Sequence, residues 1–434
     1  MAAGDGLASG VATGRPALAA ALRGPVYVGI LLLAWISTAP FKGSYAVDPA
    51  ESSNLANQIA FSLTAVLALA VAAASGAGRP ARAYLRPSWL LFLGWMGFGV
   101  LTSLNPDISM RALRFSLVVL AIGAAAVLLP EGRRRFATLT GAAVLIVLFV
   151  CYAGLVLVPD IAIHSAADPL EPEHAGSWRG LFDHKNVAGA MMVIFLFVGI
   201  HVARAGPRRL GLAVALLAGL FLFQTGSKTS MALAPAILLI AWACARIDNL
   251  AMRLLLTLTP LAVLMTATLG SVLFAPVGEL LQALSTGQTF TGRTEIWKFA
   301  FDRLWERPLT GYGFEGFWGS DFVRQAEIRE GETGIAQGMV HGHSGYVDLA
   351  IGMGLPGFAL GLTILVVLPL VDFHRAVRLK ANREMAFVFL CIWLFAIYSA
   401  CLESFFFRRA DPVWFAMLLS VLGLRLLSRY RTAP

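Results

Sequence analysis

The chain is a succession of apolar runs, most of them near the ~20 residues that an α-helix needs to cross a bilayer core. In lipid only helices or closed barrels satisfy their own backbone, and these runs are continuous where barrel strands would alternate. The sequence therefore predicts an all-α, polytopic membrane bundle. About 12 spans can be placed, over 25–41, 54–75, 88–105, 112–129, 137–158, 187–203, 210–224, 231–246, 254–275, 346–371, 385–402 and 413–427. Of the 434 residues, 58% are hydrophobic and 14% charged. An ordinary soluble domain has about 45–50% and about 25%.

Charge orients the bundle. Basic residues follow every even-numbered span: Arg79, Arg82 and Arg86; Arg133, Arg134 and Arg135; Arg204, Arg208 and Arg209; Arg246 and Arg253; Arg375, Arg378, Lys380 and Arg383; Arg429 and Arg431. The positive-inside rule puts those loops and both termini in the cytoplasm. It also accounts for the net charge of +9 and removes nucleic-acid binding as a reading. The first ~24 residues, rich in Ala and Gly, lack an apolar region with a cleavage site, and read as a cytoplasmic tail. Cys151, Cys244, Cys391 and Cys401 all lie in or at the end of apolar runs, as buried thiols rather than a disulfide framework.

One connection breaks the pattern. Between spans nine and ten lies an outer segment, 276–345, of about 70 residues, far above ordinary connection length and so a small domain or a functional loop. From Arg293 to Trp305 it carries apolar residues at Ile296, Trp297, Ala300, Phe301, Leu304 and Trp305, a helical stripe ended by Pro308. That helix is expected to lie on or against the bundle with Arg293 and Trp297 on one face. Gly311 to Gly316 reads as a flexible turn. His341-Gly342-His343-Ser344-Gly345-Tyr346 closes the loop, and small residues from Gly352 to Gly357 open the next span, which suits close helix packing. A histidine at a polar surface serves as general acid or base. No carboxylate or cysteine stands at a spacing that would make His341 and His343 a metal pair.

Two further outer segments carry cations that topology does not require. Arg179-Gly180-Leu181-Phe182-Asp183-His184-Lys185-Asn186-Val187-Ala188-Gly189 leads into span six; Asn186 is placed to cap that helix, whose positive end with Arg179 and Lys185 forms an anion site. Thr225-Gly226-Ser227-Lys228-Thr229-Ser230 is an outer turn that shares part of a P-loop pattern. It lacks the preceding strand and faces away from ATP, so Lys228 reads as a phosphate contact and not as a nucleotide site.

In their order and shared outer placement, these motifs resemble the bacterial O-antigen ligase and polymerase superfamily of membrane glycosyltransferases. The resemblance runs from about Arg179 to Gly357, and the span count and large outer loop extend it over most of the chain. It implies a GT-C-like bundle with the loop domain at the periplasmic face of the bacterial inner membrane. The organisation expected is a tail over 1–24, spans over 25–275, the periplasmic loop over 276–345, spans over 346–427 and a tail over 428–434. The activity implied is transfer of a glycan from an undecaprenyl diphosphate carrier to a hydroxyl of lipid A-core, or of a second lipid-linked glycan, with no metal or cofactor.

By the same resemblance Arg293 holds the diphosphate and His343 activates or orients the acceptor. Arg179, Lys185 and Lys228 add diphosphate contacts, and His184, His341, Glu295 and Trp297 are accessory. Lys228 stands where many members have arginine, so it offers a point charge without the bidentate fork. Ser344 stands where asparagine is commoner. The 179–186 segment looks most like the exopolysaccharide and polymerase branch; the ligase reading leads, with the polymerase reading as its open alternative. A polysaccharide or lipid transporter is the rival class. It would place ionisable residues and broken helices at the midplane, whereas Arg114 and Asp348 lie near span ends and the elaboration of this chain is outside.

Overall fold

The computed structural model describes residues 14–41, 55–167, 171–284, 293–330 and 341–433. The tail before residue 14, the loop at 42–53 and parts of the long loop, Gly292 among them, lie outside these. The helices used below are α1 (Gly14–Ile36), α2 (Leu55–Ala74), α3 (Pro87–Leu101), α4 (Pro106–Leu128), α5 (Arg133–Leu157), α6 (Lys185–Ala205), α7 (Arg208–Gln224), α8 (Lys228–Arg246) and α9 (Leu250–Thr268). After them come α10 (Ala275–Leu284), α11 (Arg293–Glu306), α12 (Asp321–Glu330), α13 (Gly345–Leu362), α14 (Leu368–Ala376), α15 (Arg383–Ser399) and α16 (Pro412–Leu427).

A helix stands at each of the expected spans, with α13 and α14 forming one. Nine segments among the described residues are long and apolar enough to cross a membrane, and α3 and α16 are shorter apolar helices. Among the described residues the one extended pairing is an isolated bridge between Ile163 and Trp178. The protein is thus a helical membrane bundle.

Helices α6, α15 and α16 form its buried centre, apolar on every side. Small residues let α6 and α7 meet backbone to backbone. A Cβ on Gly199 would lie 2.6 Å from the amide nitrogen of Ala215, and one on Gly211 would strike the Ala203 backbone. In lipid, where apolar contact alone does not drive association, such close approach is what holds helices together.

The basic segments meet at one end of the bundle. Arg86 pairs with Asp372 at 2.7 Å, and Arg425 with the same carboxylate at 3.4 Å. Arg133 reaches Glu384 at 3.7 Å, and Arg23 Nε donates to Leu129 O at 2.7 Å. Arg253, buried, donates to Cys244 O at 3.0 Å and bonds His374 Nδ1 at 2.7 Å. Their pairing satisfies groups that burial would otherwise leave unpaired in low dielectric.

The long loop is tied to α13 through a break in that helix. Gly354 has φ 65° and ψ 178°, and Pro356 follows with no N–H to give. The loop and α3 take over the freed groups: from the loop, Tyr312 N donates to Ile351 O at 2.9 Å and Pro308 O accepts from Leu355 N at 2.7 Å, and from α3 Trp95 Nε1 donates to Met353 O at 2.9 Å. A π-turn at Thr363–Val367 then joins α13 to α14, and Trp393 Nε1 bonds Leu365 O there at 2.6 Å. Irregular backbone survives in a membrane protein only where protein groups satisfy it.

Two expectations for the loop are corrected. Gly311 to Gly316 is a packed turn: Tyr312 and Phe314 are buried, and Tyr312 O accepts from Leu104 N at 3.1 Å. On α11 the buried residues are Ile296, Trp297, Phe299, Ala300 and Leu304, whereas Trp305 is 62% exposed. The helix contributes Phe299 to a second small core with Tyr312, Phe317, Val323 and Ile351, which turns its face away from Trp305.

At Gly311, φ is +62° and an added Cβ would lie 2.5 Å from Ile351 O. Gly311→Ala is expected to cost about 2 kcal/mol or more, seen as a lower midpoint in thermal unfolding of the detergent-purified protein. An unchanged midpoint would contradict the described loop–helix junction.

Candidate active site

The segment before α6 folds back over one end of the bundle. Arg179 is 6% exposed, and its guanidinium binds the carbonyls of Ile161 and of Asp183, the latter at 3.1 Å. Arg179 N and Gly180 N both donate to Ala162 O at 2.9 Å. Arg179 therefore holds this fold-back together, which leaves its guanidinium poorly placed for a ligand. His184 caps α6, not Asn186: its Nδ1 accepts from Asn186 N at 3.1 Å, while His164 Nε2 accepts from Lys185 N at 3.1 Å. Two imidazole nitrogens so replace the short polar side chain that usually caps a helix.

Glu171, His174 and His184 bring one ligand atom each within 4.8 Å of one another. The capping bonds decide their chemistry. A backbone N–H only donates, so His184 Nδ1 presents a lone pair and the proton of the neutral ring sits on Nε2. That proton points at Glu171 Oε2, 3.0 Å away. As arranged, His184 is a donor to the carboxylate, not a second lone pair for a cation. Glu171 is held down at about 2, first by this bond.

The long loop meets the same end of the bundle. Arg293, first residue of α11, donates from NH1 to Leu402 O at 2.6 Å and from NH2 to Glu403 Oε1 at 3.2 Å. The same Glu403 oxygen accepts from Asn186 Nδ2 at 3.1 Å. One turn along α11, the buried Trp297 donates from Nε1 to Gly342 O at 2.8 Å. Gly342 N donates to Asp348 Oδ1 at 2.8 Å, which also accepts from Trp318 Nε1 at 2.8 Å. Gly345 N donates to Ala400 O and to Glu403 O. The histidine segment is thus fixed between α11, α13 and the α15–α16 turn.

His343 sits there with φ +50°, its ring 4.4 Å from that of His341. Its backbone N–H donates to His341 Nδ1 at 3.3 Å, and its own buried Nδ1 has no partner among the described residues. Burial first, then the charges of Arg293 and Arg408, push the His343 pKa down to about 4. His341 is lowered by the same causes, burial first. Ser344 is buried and its hydroxyl donates to Ala400 O at 3.2 Å.

The predicted residues divide accordingly. Arg293, Trp297, His184, His341 and His343 converge. Lys185 and Lys228 lie close enough to repel each other, on the α6 and α8 openings, with Lys228 exposed. Glu295 is exposed on α11, off its buried face. From sequence the pair Arg408-Arg409 stands out only as unexplained cations and Asp348 only as a charge near a span end, and Glu403 and Glu171 carry no signal. Arg408 and Glu403 lie in the turn 403–412, beside Phe405, Phe406 and Phe407, all buried.

His164 is likewise held at about 4, chiefly by burial. For both histidines the folded chain binds its proton less readily than the unfolded chain, whose histidines titrate near 6.5. Stability is therefore expected to fall as pH drops from about 6.5 towards about 4, by about 1 kcal/mol per group at pH 5. Thermal unfolding of the purified protein between pH 7.5 and 5 checks this, and His343→Gln should flatten the slope.

Residues 212–362, from α7 to the end of α13, match the O-antigen ligase family model. They include Lys228, Arg293, His341 and His343. The chain is also similar to the exopolysaccharide production protein ExoQ of Rhizobium meliloti (strain 1021), with 26% identity over 206 residues. That match covers 46% of this chain and 47% of the relative, so it spans about half the length of each. These matches, on a helical bundle whose long loop returns Arg293 and His343 to one site, support the resemblance of the chain to the O-antigen ligase and polymerase superfamily.

Proposed function

We propose that this protein is a glycosyltransferase of the inner membrane, with its site at the periplasmic face. It moves a glycan from an undecaprenyl diphosphate carrier to a sugar hydroxyl. The observation that carries this is the convergence, at the α15–α16 turn, of a bonded but partly exposed guanidinium, Arg293, with the half-buried imidazole of His343.

The acceptor oxygen bonds the anomeric carbon while the bond from that carbon to the carrier phosphate breaks. The electron pair leaves on the diphosphate and the hydroxyl proton passes to His343. Charge builds on the leaving group, where preorganised cations contribute most. Arg293 offers fork-shaped donors to phosphate, and Arg408 and Lys185 add positive potential. At pH 7 His343 is neutral and so able to accept a proton. A bound diphosphate would raise its pKa from about 4 towards neutrality, the range suited to a general base.

The ligase reading, with lipid A-core as acceptor, and the polymerase reading, with a second lipid-linked unit, share this chemistry. The Rhizobium relative is an exopolysaccharide production protein, which supports the second. A deletion strain separates them. Polymer that accumulates on its carrier and is missing from lipid A means ligase; accumulation of single repeat units means polymerase.

Arg293→Ala is expected to lower transfer about 10²–10³-fold and His343→Ala about 10²–10⁴-fold, with membrane insertion unchanged. Transfer from purified lipid-linked glycan, followed on gels, measures both. Full activity in either variant removes its assigned role.

A further inference from the structure

Three separate parts of the chain meet on one carboxylate oxygen. Glu403 Oε1, on the α15–α16 turn, accepts from Asn186 Nδ2 of α6 at 3.1 Å and from Arg293 NH2 of the long loop at 3.2 Å. Asn186 is itself fixed, because its backbone N–H is bonded to His184 and His184 to Glu171. Arg293 is gripped a second time by Leu402 O, next in the chain to Glu403. The backbone of Glu403 is anchored in turn, its carbonyl accepting from Gly345 N at 3.0 Å.

We infer that Glu403, aligned by Asn186, is the positioning residue that orients Arg293 for the donor diphosphate. The inference rests on the role proposed for Arg293. A guanidinium carries five N–H donors in a rigid plane. Glu403 and Leu402 each take one of them and fix the plane of the group. The remaining donors face a ligand without having to be ordered when it arrives, which is the saving that preorganisation supplies. An isolated arginine at the first position of a loop helix would have to lose rotamer freedom on binding. Asn186 matters because it removes the freedom of the Glu403 carboxylate itself. The 179–189 segment thereby acts on the site through hydrogen bonds, without any of its cations needing to touch phosphate.

The test is a double-mutant cycle on the full-length protein in lipid nanodiscs, at equal amounts of monodisperse protein. It has two readouts, turnover with lipid-linked glycan and affinity for undecaprenyl diphosphate alone. Asn186→Ala changes no charge, and Glu403→Gln keeps the shape while removing the charge. Each is expected to lower turnover about ten-fold with Arg293 present and less than about two-fold in an Arg293→Lys background, whose point charge has no plane to align. The affinity change caused by Asn186→Ala should likewise vanish in an Arg293→Ala background. Equal losses in both backgrounds overturn the inference, since the residues would then act on the fold or independently. Wild-type turnover and affinity in Asn186→Ala and Glu403→Gln overturn it as well. Full turnover in Arg293→Lys together with full affinity in Arg293→Ala is a distinct result, which removes the role of Arg293 and this inference with it.

Discussion

The broken helix α13 is the constraint on which the site depends. A helix interrupted within a bundle leaves backbone groups that lipid cannot satisfy. Here the long loop satisfies them, through Tyr312 N on Ile351 O and Leu355 N on Pro308 O. The exchange is reciprocal, because the loop gains a fixed path from Pro308 to Gly316 and the helix gains its missing partners. With that path fixed, α11 and its Arg293 stand over the end of the bundle that carries the α15–α16 turn. The second end of the loop returns at His341, where Trp297 and Asp348 hold Gly342 from both sides.

The electrostatics follow from this placement. Arg293, Arg408, His341 and His343 crowd one half-buried region, and burial is the largest influence on each histidine. Such a region is unfavourable for cations, so the histidines stay neutral and Glu403 serves as counter-charge to Arg293. A bound dianion would reverse the balance. The same arrangement explains why Arg179, although in a motif rich in cations, is spent on carbonyls: its place lies beneath the surface, where a guanidinium survives by binding backbone oxygens.

Much of this was legible in the sequence. Apolar runs with basic exits announced the helices and the shared end of the bundle to which those exits belong. The length of the loop singled it out, and Arg293, Trp297 and His343 were readable as its two ends. Less legible were single side chains whose role depends on a distant partner. Asn186 read as a cap because Asn often caps; the fold-back brought His184 and His164 to that task and freed the amide for Glu403. Trp305 read as part of the apolar stripe facing the bundle or the membrane because periodicity alone does not tell where a face ends, and a second small core around Tyr312 and Phe317 drew in Phe299 instead.

By itself the sequence determined the helical membrane class and singled out the long loop between its apolar runs, since these rest on local hydropathy, spacing and length. Only the tertiary structure decided which of the outer polar groups meet. Asn186, Arg293 and Glu403 are far apart along the chain, and no local pattern links them. Their meeting follows from how α6, α11 and the α15–α16 turn pack. That depends on backbone hydrogen bonds across the break in α13, and the reach of those bonds is spatial and not sequential.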